Sequence, residues 1–155
     1  MRKISIVCVG NLKEKYWVDA FGEYQKRLSK YCDFTVIEIP ESKLNKANAS
    51  EISAVISAEG DRLLEKLRGK KVICLVIEGG AVSSEKLAEI VSQESDFGEV
   101  CFVIGGSYGL DDRVKRLGKS ISFGKITLPH QLIRVVLAEQ IYRAFTIINN
   151  ITYHK

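Results

Sequence analysis

The sequence predicts an α/β domain over residues 1–155, with a parallel sheet and helices on both of its faces. Two observations predict this class. Short apolar segments alternate along the chain with segments whose apolar residues recur at helical spacing. In these apolar segments, polar and apolar residues do not alternate as they do in a half-exposed strand. Uninterrupted apolar segments are typical of parallel strands that are buried on both faces. A chain of 155 residues without a linker or repeat fits one domain.

The first half of the chain predicts two strand–helix units. Residues 4–9 are rich in β-branched side chains and form the first strand. A helix over about residues 14–30 follows, because its apolar residues are four, three and four positions apart. Residues 35–39 form the second strand. A polar loop then leads to the second helix, whose N-cap is Asn48 or Ser50.

The second half predicts three more strands. Residues 72–77 and residues 100–104 are apolar throughout and form two of them. Between them, Ser83 or Ser84 caps a short helix. The remaining elements are a short helix that starts at Asp111 or Asp112, a strand over residues 120–123 and a long helix over residues 131–148.

The long last helix carries apolar residues around its whole circumference, from Leu132 to Ile148. A helix that packs on one sheet needs only one apolar face. The additional apolar surface of this helix predicts contact with a second copy of the chain, since two-fold dimers are the commonest oligomers. A homodimer is therefore expected.

The charge and the composition of the chain limit what kinds of partner, metal site and cellular location are expected. The net charge of +4 permits an anionic partner such as RNA without requiring one. The four cysteines are far apart in sequence, which predicts buried free thiols and no metal site: Cys8, Cys32, Cys74 and Cys101. The N-terminal apolar run is too short for a signal peptide or a membrane span, so a cytoplasmic protein without membrane contact is expected.

Glycine-bearing turns follow successive predicted strands, at 78–83, 105–110 and 124–130. The carboxyl ends of parallel strands are where open α/β sheets bind ligands. None of these turns has the glycine spacing of a dinucleotide fingerprint or a phosphate-binding P-loop. The last turn is long and apolar, so Ile126 and Leu128 either pack beneath other residues or surround a ligand such as an adenine ring.

Four segments together resemble the RlmH family of the SPOUT superfamily: GNLKEKYW, VIGGSYGL, SFGKITLPHQLIRVVLAEQIYRAF and TYHK. The resemblance covers the whole chain. It implies a C-terminal trefoil knot, a homodimer and S-adenosylmethionine held by loops of the knot, without a metal. The implied reaction is methyl transfer to N3 of a pseudouridine in helix 69 of 23S rRNA, within the assembled ribosome.

The resemblance also assigns residues. The cofactor contacts that it implies are Leu75, Gly105, Phe123, Gly124, Lys125, Ile126, Thr127 and Leu128. These residues lie in or beside the turns that the strand pattern had already selected. His130, at the start of the last helix, is expected to cap that helix or to belong to the cofactor loop.

The implied chemistry needs a cation. An imide nitrogen attacks only as its proton leaves, and the resulting negative charge spreads onto the flanking carbonyl oxygens. Arg134, one turn into the last helix among apolar neighbours, is predicted to stabilise that charge. The alternative is an arginine in a structural ion pair. Arg143 lies four residues after Glu139, which predicts such a structural pair.

The C-terminal tail is predicted to belong to the acceptor site of the partner subunit. Tyr153 offers a flat face to a base, and His154 a nitrogen that titrates near neutral pH. The alternative is a frayed end. Asn150-Ile151 departs from the Asn-His-Pro of some family members, which leaves the course of the tail open. A ligand-binding regulator and a passive ribosome-binding module are the rival function classes.

Overall fold

The structure is a computed structural model that describes all 155 residues. Strands and helices alternate throughout, as the sequence predicts. The strands are β1 (Arg2–Val9), β2 (Cys32–Ile39), β3 (Lys71–Ala81), β4 (Val100–Ile104) and β5 (Lys119–Ser122). The helices are α1 (Lys15–Leu28), α2 (Ala49–Lys66), α3 (Ser84–Glu94), α4 (Asp112–Lys115) and α5 (His130–Ile148).

All five strands are parallel and form one sheet in the order β2-β1-β4-β3-β5. The predicted fold class is therefore confirmed. Successive residues of β1 face opposite sides: Ile4 and Ile6 enter the core cluster beneath α1, α3 and α5, whereas Val7 and Val9 enter the cluster beneath α2 and α4. Because every strand runs in the same direction, their carboxyl ends gather at one edge of the sheet.

The N-caps settle the alternatives that the sequence left open. Asn48 caps α2 by accepting a hydrogen bond from the backbone N–H of Glu51 at 2.9 Å. Ser83 caps α3 in the same way, and Asp111 caps α4. The side chain of Glu14, the N-cap residue of α1, forms no such capping bond. Instead, the Gln131 side chain accepts a hydrogen bond from the Lys13 backbone N–H at 2.8 Å. This bond joins the start of α1 to the first turn of α5.

The third strand is longer than predicted, and the interpretation of 78–83 as a glycine turn is wrong. Leu75 pairs with Ile121, and so does Gly80, with a register shift between them. The segment between these two pairs bulges out of the ladder. A Cβ on Gly79 would lie 2.7 Å from the Ile121 backbone, so this close approach of β3 to β5 requires glycine.

The surplus apolar surface of α5 is largely covered within the chain, because α1 and α3 flank this helix while the sheet lies beneath it. Helix α5 thus has three neighbours, and that explains most of the apolar residues around it. Leu132 and Val136 are half-buried and lie outside both core clusters. The composition of α5 alone therefore does not require a partner, and the homodimer stays a prediction.

All four cysteines are buried free thiols, as the sequence predicts. Burial raises the pKa of Cys32 to about 12 and those of Cys8 and Cys74 to about 11. These thiols are therefore protonated at neutral pH and contribute as small apolar side chains. No group of three or more His, Cys, Asp or Glu side chains is placed to hold a metal ion. None of the helices combines the length and the apolar character needed to cross a membrane.

Replacing Gly118 with alanine is expected to destabilise the protein by about 1–3 kcal/mol, the usual cost of forcing an extra methyl group into a packed site. A Cβ on Gly118 would lie 2.0 Å from the Val72 carbonyl oxygen, so β3 would have to move. Urea denaturation measures the change. Gly22→Ala is the control, because a Cβ there meets no atom within 4 Å. A helical alanine in place of glycine should stabilise by up to about 1 kcal/mol. Equal stability of the two variants would contradict the expectation.

Candidate functional site

Two cavities open side by side at the carboxyl edge of the sheet. The first has a volume of about 750 Å³ and the second of about 1020 Å³. Both are bordered by the loop after β4, at Gly106, Ser107 and Tyr108, and by His130 at the start of α5. A molecule in one cavity would therefore lie next to a molecule in the other.

The first cavity brings together all the residues that the resemblance assigned to the cofactor. Its walls are the end of β3, the glycine loop after β4 and the segment between β5 and α5. The assigned residues that line it are Leu75, Gly105, Phe123, Gly124, Lys125, Ile126, Thr127 and Leu128. Half of the 22 lining residues are hydrophobic, which suits a flat apolar ring with a few polar edges.

The glycine loop after β4 is tight for a physical reason. A Cβ on Gly105 would lie 2.9 Å from the Leu110 side chain, and one on Gly106 would lie 2.8 Å from Glu59 Oε1. Gly109 has a φ of 94°, a conformation that favours glycine, and its N–H donates to the Gly106 carbonyl. Side chains at Gly105 and Gly106 would therefore collide with Leu110 and Glu59, so the loop keeps this path only with glycine.

The segment between β5 and α5 does not pack beneath other residues. Gly124 has a φ of 125°, and the Ser122 hydroxyl bonds to both its N–H and its carbonyl group. Ile126 lines the first cavity and is 80% exposed, which excludes the alternative that it packs beneath other residues. Leu128 is half-buried. Of the two alternatives for this loop, a wall around a ligand fits the geometry.

The bulge of β3 forms another wall of the first cavity. Glu78, which the sequence places in a ligand-binding turn, lines the cavity, and so do Val76 and the 49% exposed Ile77, which the sequence did not indicate. Lys115 of α4 donates to Glu78 at 2.7 Å, and this hydrogen bond lowers the pKa of the Glu78 carboxyl. The apolar run that ends at Ile77 marked the strand, but no local pattern shows that four residues leave the ladder.

A buried carboxylate, Glu59, lies behind the glycine loop and was also missed. It is 3% exposed and accepts a hydrogen bond from the Ser42 N–H at 3.1 Å. Burial raises the pKa of Glu59. Nearby, Ser107 of the glycine loop donates to Glu41 at 3.1 Å. These contacts tie the loop after β2 to the loop after β4 at the boundary of the two cavities.

The second cavity contains Arg134, the predicted cation. Its side chain is 5% exposed and forms two hydrogen bonds, to Glu38 Oε2 at 2.6 Å and to the Gly10 carbonyl oxygen at 3.1 Å. Its Nε has no partner within the chain. Arg134 thus makes the structural pair that the sequence left as the alternative, and it also lines a cavity. Trp17 and Lys13 line the same cavity.

The C-terminal tail leaves the end of α5 and folds back along the helix, and none of its residues lines either cavity. It turns back at Asn150, which has a φ of 54°, and the Ile151 N–H donates to the Thr146 carbonyl oxygen. Tyr153 and His154 are half-buried against α5 and α3. The tail is therefore neither frayed nor an extended arm.

A family model described as "Predicted SPOUT methyltransferase" matches residues 2–154. The chain is 47% identical to "Ribosomal RNA large subunit methyltransferase H" of Limosilactobacillus reuteri (strain DSM 20016), over 98% of this chain and 99% of that protein. It is also 47% identical to the protein of that name from Streptococcus pneumoniae (strain CGSP14), over 99% of each chain. The chain belongs to the RlmH family of SPOUT methyltransferases. The resemblance described above is thereby confirmed.

Solved structures agree with this assignment at the level of fold. A probable methylase family protein from Haemophilus influenzae Rd KW20 has a TM-score of 0.62 and 15% identity, over 100% of this chain and 72% of that one. A probable methyltransferase from Bordetella pertussis Tohama I has a TM-score of 0.59 and 14% identity, over 92% and 94%. The trefoil knot that the SPOUT family implies remains an expectation.

Within the SPOUT family framework, the structure separates the assigned residues into two groups. The cofactor residues and Arg134 lie at the cavities, near the first turn of α5. Tyr153 and His154 follow its last turn in sequence, but the tail folds back, so that they lie beside Glu139 and Arg143 in the middle of α5. Along the helix axis these two contacts are about 8–14 Å from Arg134.

Proposed function

We propose that this protein is a cytoplasmic homodimer that transfers a methyl group from S-adenosylmethionine to N3 of a pseudouridine in helix 69 of 23S rRNA, on the assembled ribosome. Membership of the RlmH family carries the proposal, since its relatives are named as methyltransferases of large-subunit ribosomal RNA. The adjacent cavities support it, because a transfer reaction needs two ligands in contact.

The first cavity suits the cofactor. Its apolar walls and exposed backbone groups fit an adenine ring and its polar edge, and its loops lack a phosphate-binding spacing. S-Adenosylmethionine supplies a methyl group on a positive sulfur, which is already electrophilic. The protein therefore contributes alignment more than activation, and well-oriented groups gain about 7–11 kcal/mol over free encounter.

The second cavity suits the acceptor base. It shares the rim of the glycine loop with the first cavity, so a base there would present its edge to the cofactor's methyl group. As N3 loses its proton, negative charge develops on the flanking carbonyl oxygens, and Arg134 provides a fixed positive charge within the same cavity. Its bonds to Glu38 and to the Gly10 carbonyl oxygen hold that charge in position.

The homodimer and the place of the tail in it are part of the same proposal. Tyr153 and His154 fold back beside Glu139 and Arg143, and neither residue lines a cavity of its own chain. In the proposed dimer, the tail belongs to the acceptor site of the partner subunit. The half-buried Leu132 and Val136, which lie outside both core clusters, offer part of a contact surface. Sedimentation at micromolar concentration should give twice the 17.3 kDa mass of the chain.

The deciding experiment is mass spectrometry of 23S rRNA from cells with and without this protein. A methylated pseudouridine fragment of helix 69 should be lost with the gene and should return on incubation of those ribosomes with the protein and S-adenosylmethionine. An unchanged fragment would refute the proposal. Calorimetry should give binding of S-adenosylmethionine and none of ATP; comparable binding of ATP would favour a nucleotide-binding regulator.

Arg134→Lys is expected to lower methyl transfer by about a hundredfold, the scale for losing one transition-state hydrogen-bond donor. Lysine keeps the charge but lacks the planar fork that bonds both Glu38 and the Gly10 carbonyl oxygen, so the charge is no longer held in place. Single-turnover methyl transfer to ribosomes measures the loss.

The matched control is Glu38→Gln, which weakens the same ion pair but leaves the arginine in place. We expect it to retain methyl transfer within about tenfold. Equal losses in the two variants, at equal thermal stability, would mean that Arg134 acts only through its pair with Glu38.

A further inference from the structure

Glu139 receives hydrogen bonds from both the helix and the tail. Arg143 donates through Nε to Oε1 at 3.0 Å and through a terminal nitrogen to Oε2 at 3.2 Å. The Tyr153 hydroxyl also donates to Oε2, at 3.0 Å. Burial and this hydrogen bond raise the pKa of Tyr153, so the phenol keeps its donor hydrogen at neutral pH. The ion pair between Glu139 and Arg143, which the sequence predicts as a structural contact within α5, thus also holds the tail in place through Tyr153.

The tail is held on its other side by His154. Its Nε2 lies 2.7 Å from Glu85 Oε1 on α3, and its Nδ1 lies 3.3 Å from a terminal nitrogen of Arg143. The Arg143 guanidinium lies 4.7 Å from the centre of the Tyr153 ring. Two carboxylates and one guanidinium therefore surround the two aromatic side chains of the tail.

The donor rules fix the tautomer of His154. An arginine only donates, so the Nδ1 that faces Arg143 has to accept. The ring hydrogen is then on Nε2, where the Glu85 carboxylate accepts it. In this arrangement both nitrogens of the neutral imidazole are used, and neither offers a free lone pair.

We propose that Glu139 and Glu85 are positioning residues that fix the tail through Tyr153 and His154, and that they hold His154 as the Nε2–H tautomer with its Nδ1 lone pair occupied by Arg143. It follows that His154 orients the acceptor and is not the base that removes the N3 proton. This consequence rests on the proposed function, whereas the fixed tautomer does not.

The tautomer can be observed directly, because the chain has only two histidines, His130 and His154. Nitrogen NMR of histidine-labelled protein, assigned with His130→Asn, should show one protonated and one unprotonated nitrogen for His154. Glu85→Ala should bring the two nitrogen signals toward each other, as a tautomer mixture does. Glu85→Gln should preserve the wild-type pattern, since its amide oxygen still accepts from Nε2–H.

Activity provides the second readout. Glu85→Ala and Glu139→Ala should each lower kcat for methyl transfer by about a hundredfold through misplacement of the tail, with the KM for S-adenosylmethionine unchanged. Glu89→Ala is the control on α3, because Glu89 pairs with Lys86 and forms no hydrogen bond with the tail. Asp19→Ala is the control for Glu139, since it breaks an exposed i,i+4 pair with Lys15 on α1.

Two results would overturn the proposal. One is a wild-type His154 that is charged or a mixture of tautomers at neutral pH. The other is wild-type kcat in Glu85→Ala, an exposed site whose substitution leaves the core intact. Failure of the wild-type protein to methylate ribosomes would instead refute the proposed function, and the tautomer measurement would be unaffected.

Discussion

Removal of Tyr153, His154 and Lys155 is expected to lower methyl transfer to ribosomes by about a thousandfold, at the upper end of the loss for one group that stabilises a transition state. The affinity for S-adenosylmethionine should stay within about twofold, because none of these three residues lines the first cavity. Transfer of a radiolabelled methyl group measures the first quantity, and calorimetry the second.

Deletion of Lys155 alone is the matched control, because this exposed residue lies beyond the contacts of Tyr153 and His154. The protein without Lys155 should retain nearly full methyl-transfer activity at a saturating concentration of ribosomes. Full activity of the three-residue truncation would mean that the tail has no part in the reaction. Equal loss of cofactor binding and methyl transfer would instead place the tail at the cofactor cavity.

Gly105→Val is expected to weaken the binding of S-adenosylmethionine by at least about a hundredfold, which corresponds to about 2.7 kcal/mol. A Cβ at this position already comes within 2.9 Å of Leu110 and 3.1 Å of the Gly109 backbone, and the valine methyl groups extend further. Leu110 and the glycine loop both line the first cavity, so the added methyl groups force one or both of them to move into it. Calorimetry with the purified variant measures the affinity.

Gly22→Val controls for the added side chain, because a Cβ at Gly22 meets no atom within 4 Å and lies on α1, outside the cavity linings. It should bind the cofactor like the wild type. Circular dichroism of Gly105→Val should show a folded protein, so that lost binding reflects the loop. Wild-type affinity of a folded Gly105→Val protein would contradict the assignment of the first cavity to the cofactor.

The two variants together test whether a site draws on both subunits. In a mixed dimer of a Gly105→Val chain and a truncated chain, one site lacks both a cofactor loop and a tail. The other site has both intact. Mixing two inactive homodimers should therefore restore up to about half of the activity per dimer if the tail acts across the interface. Verified mixed dimers without activity would show that the tail serves its own chain or that both sites must be intact.

Local patterns predicted the elements of this fold well because strands, helix faces and caps depend on neighbouring residues. Asn48 and Ser83 are examples, since each bonds to an N–H three residues away. The path of β3 was not predictable in this way. Its extension past Gly79 depends on a close approach to Ile121, 42 positions later, and glycine at such a site looks like a turn.

The candidate site was predictable where its residues are neighbours in sequence. The resemblance located the cofactor residues, which lie in contiguous loops and line one cavity. The partners of the polar side chains were not apparent from sequence: Arg134 and Glu38 are 96 positions apart, and His154 and Glu85 are 69 apart. Such pairs form only because the sheet order and the flanking helices bring distant segments together.

The length of α5 also sets an angular relation between the two ends of the molecule. Each residue of a helix advances the chain by 1.5 Å and turns it by 100°. Insertion of one residue between Arg134 and Glu139 would leave the cavities in place but would rotate everything after it by 100°. Glu139 and the folded-back tail would then point to a different side of the helix, away from Glu85 of α3. The spacing from Arg134 to Glu139 thus fixes the phase between the second cavity and the tail as firmly as it fixes the distance.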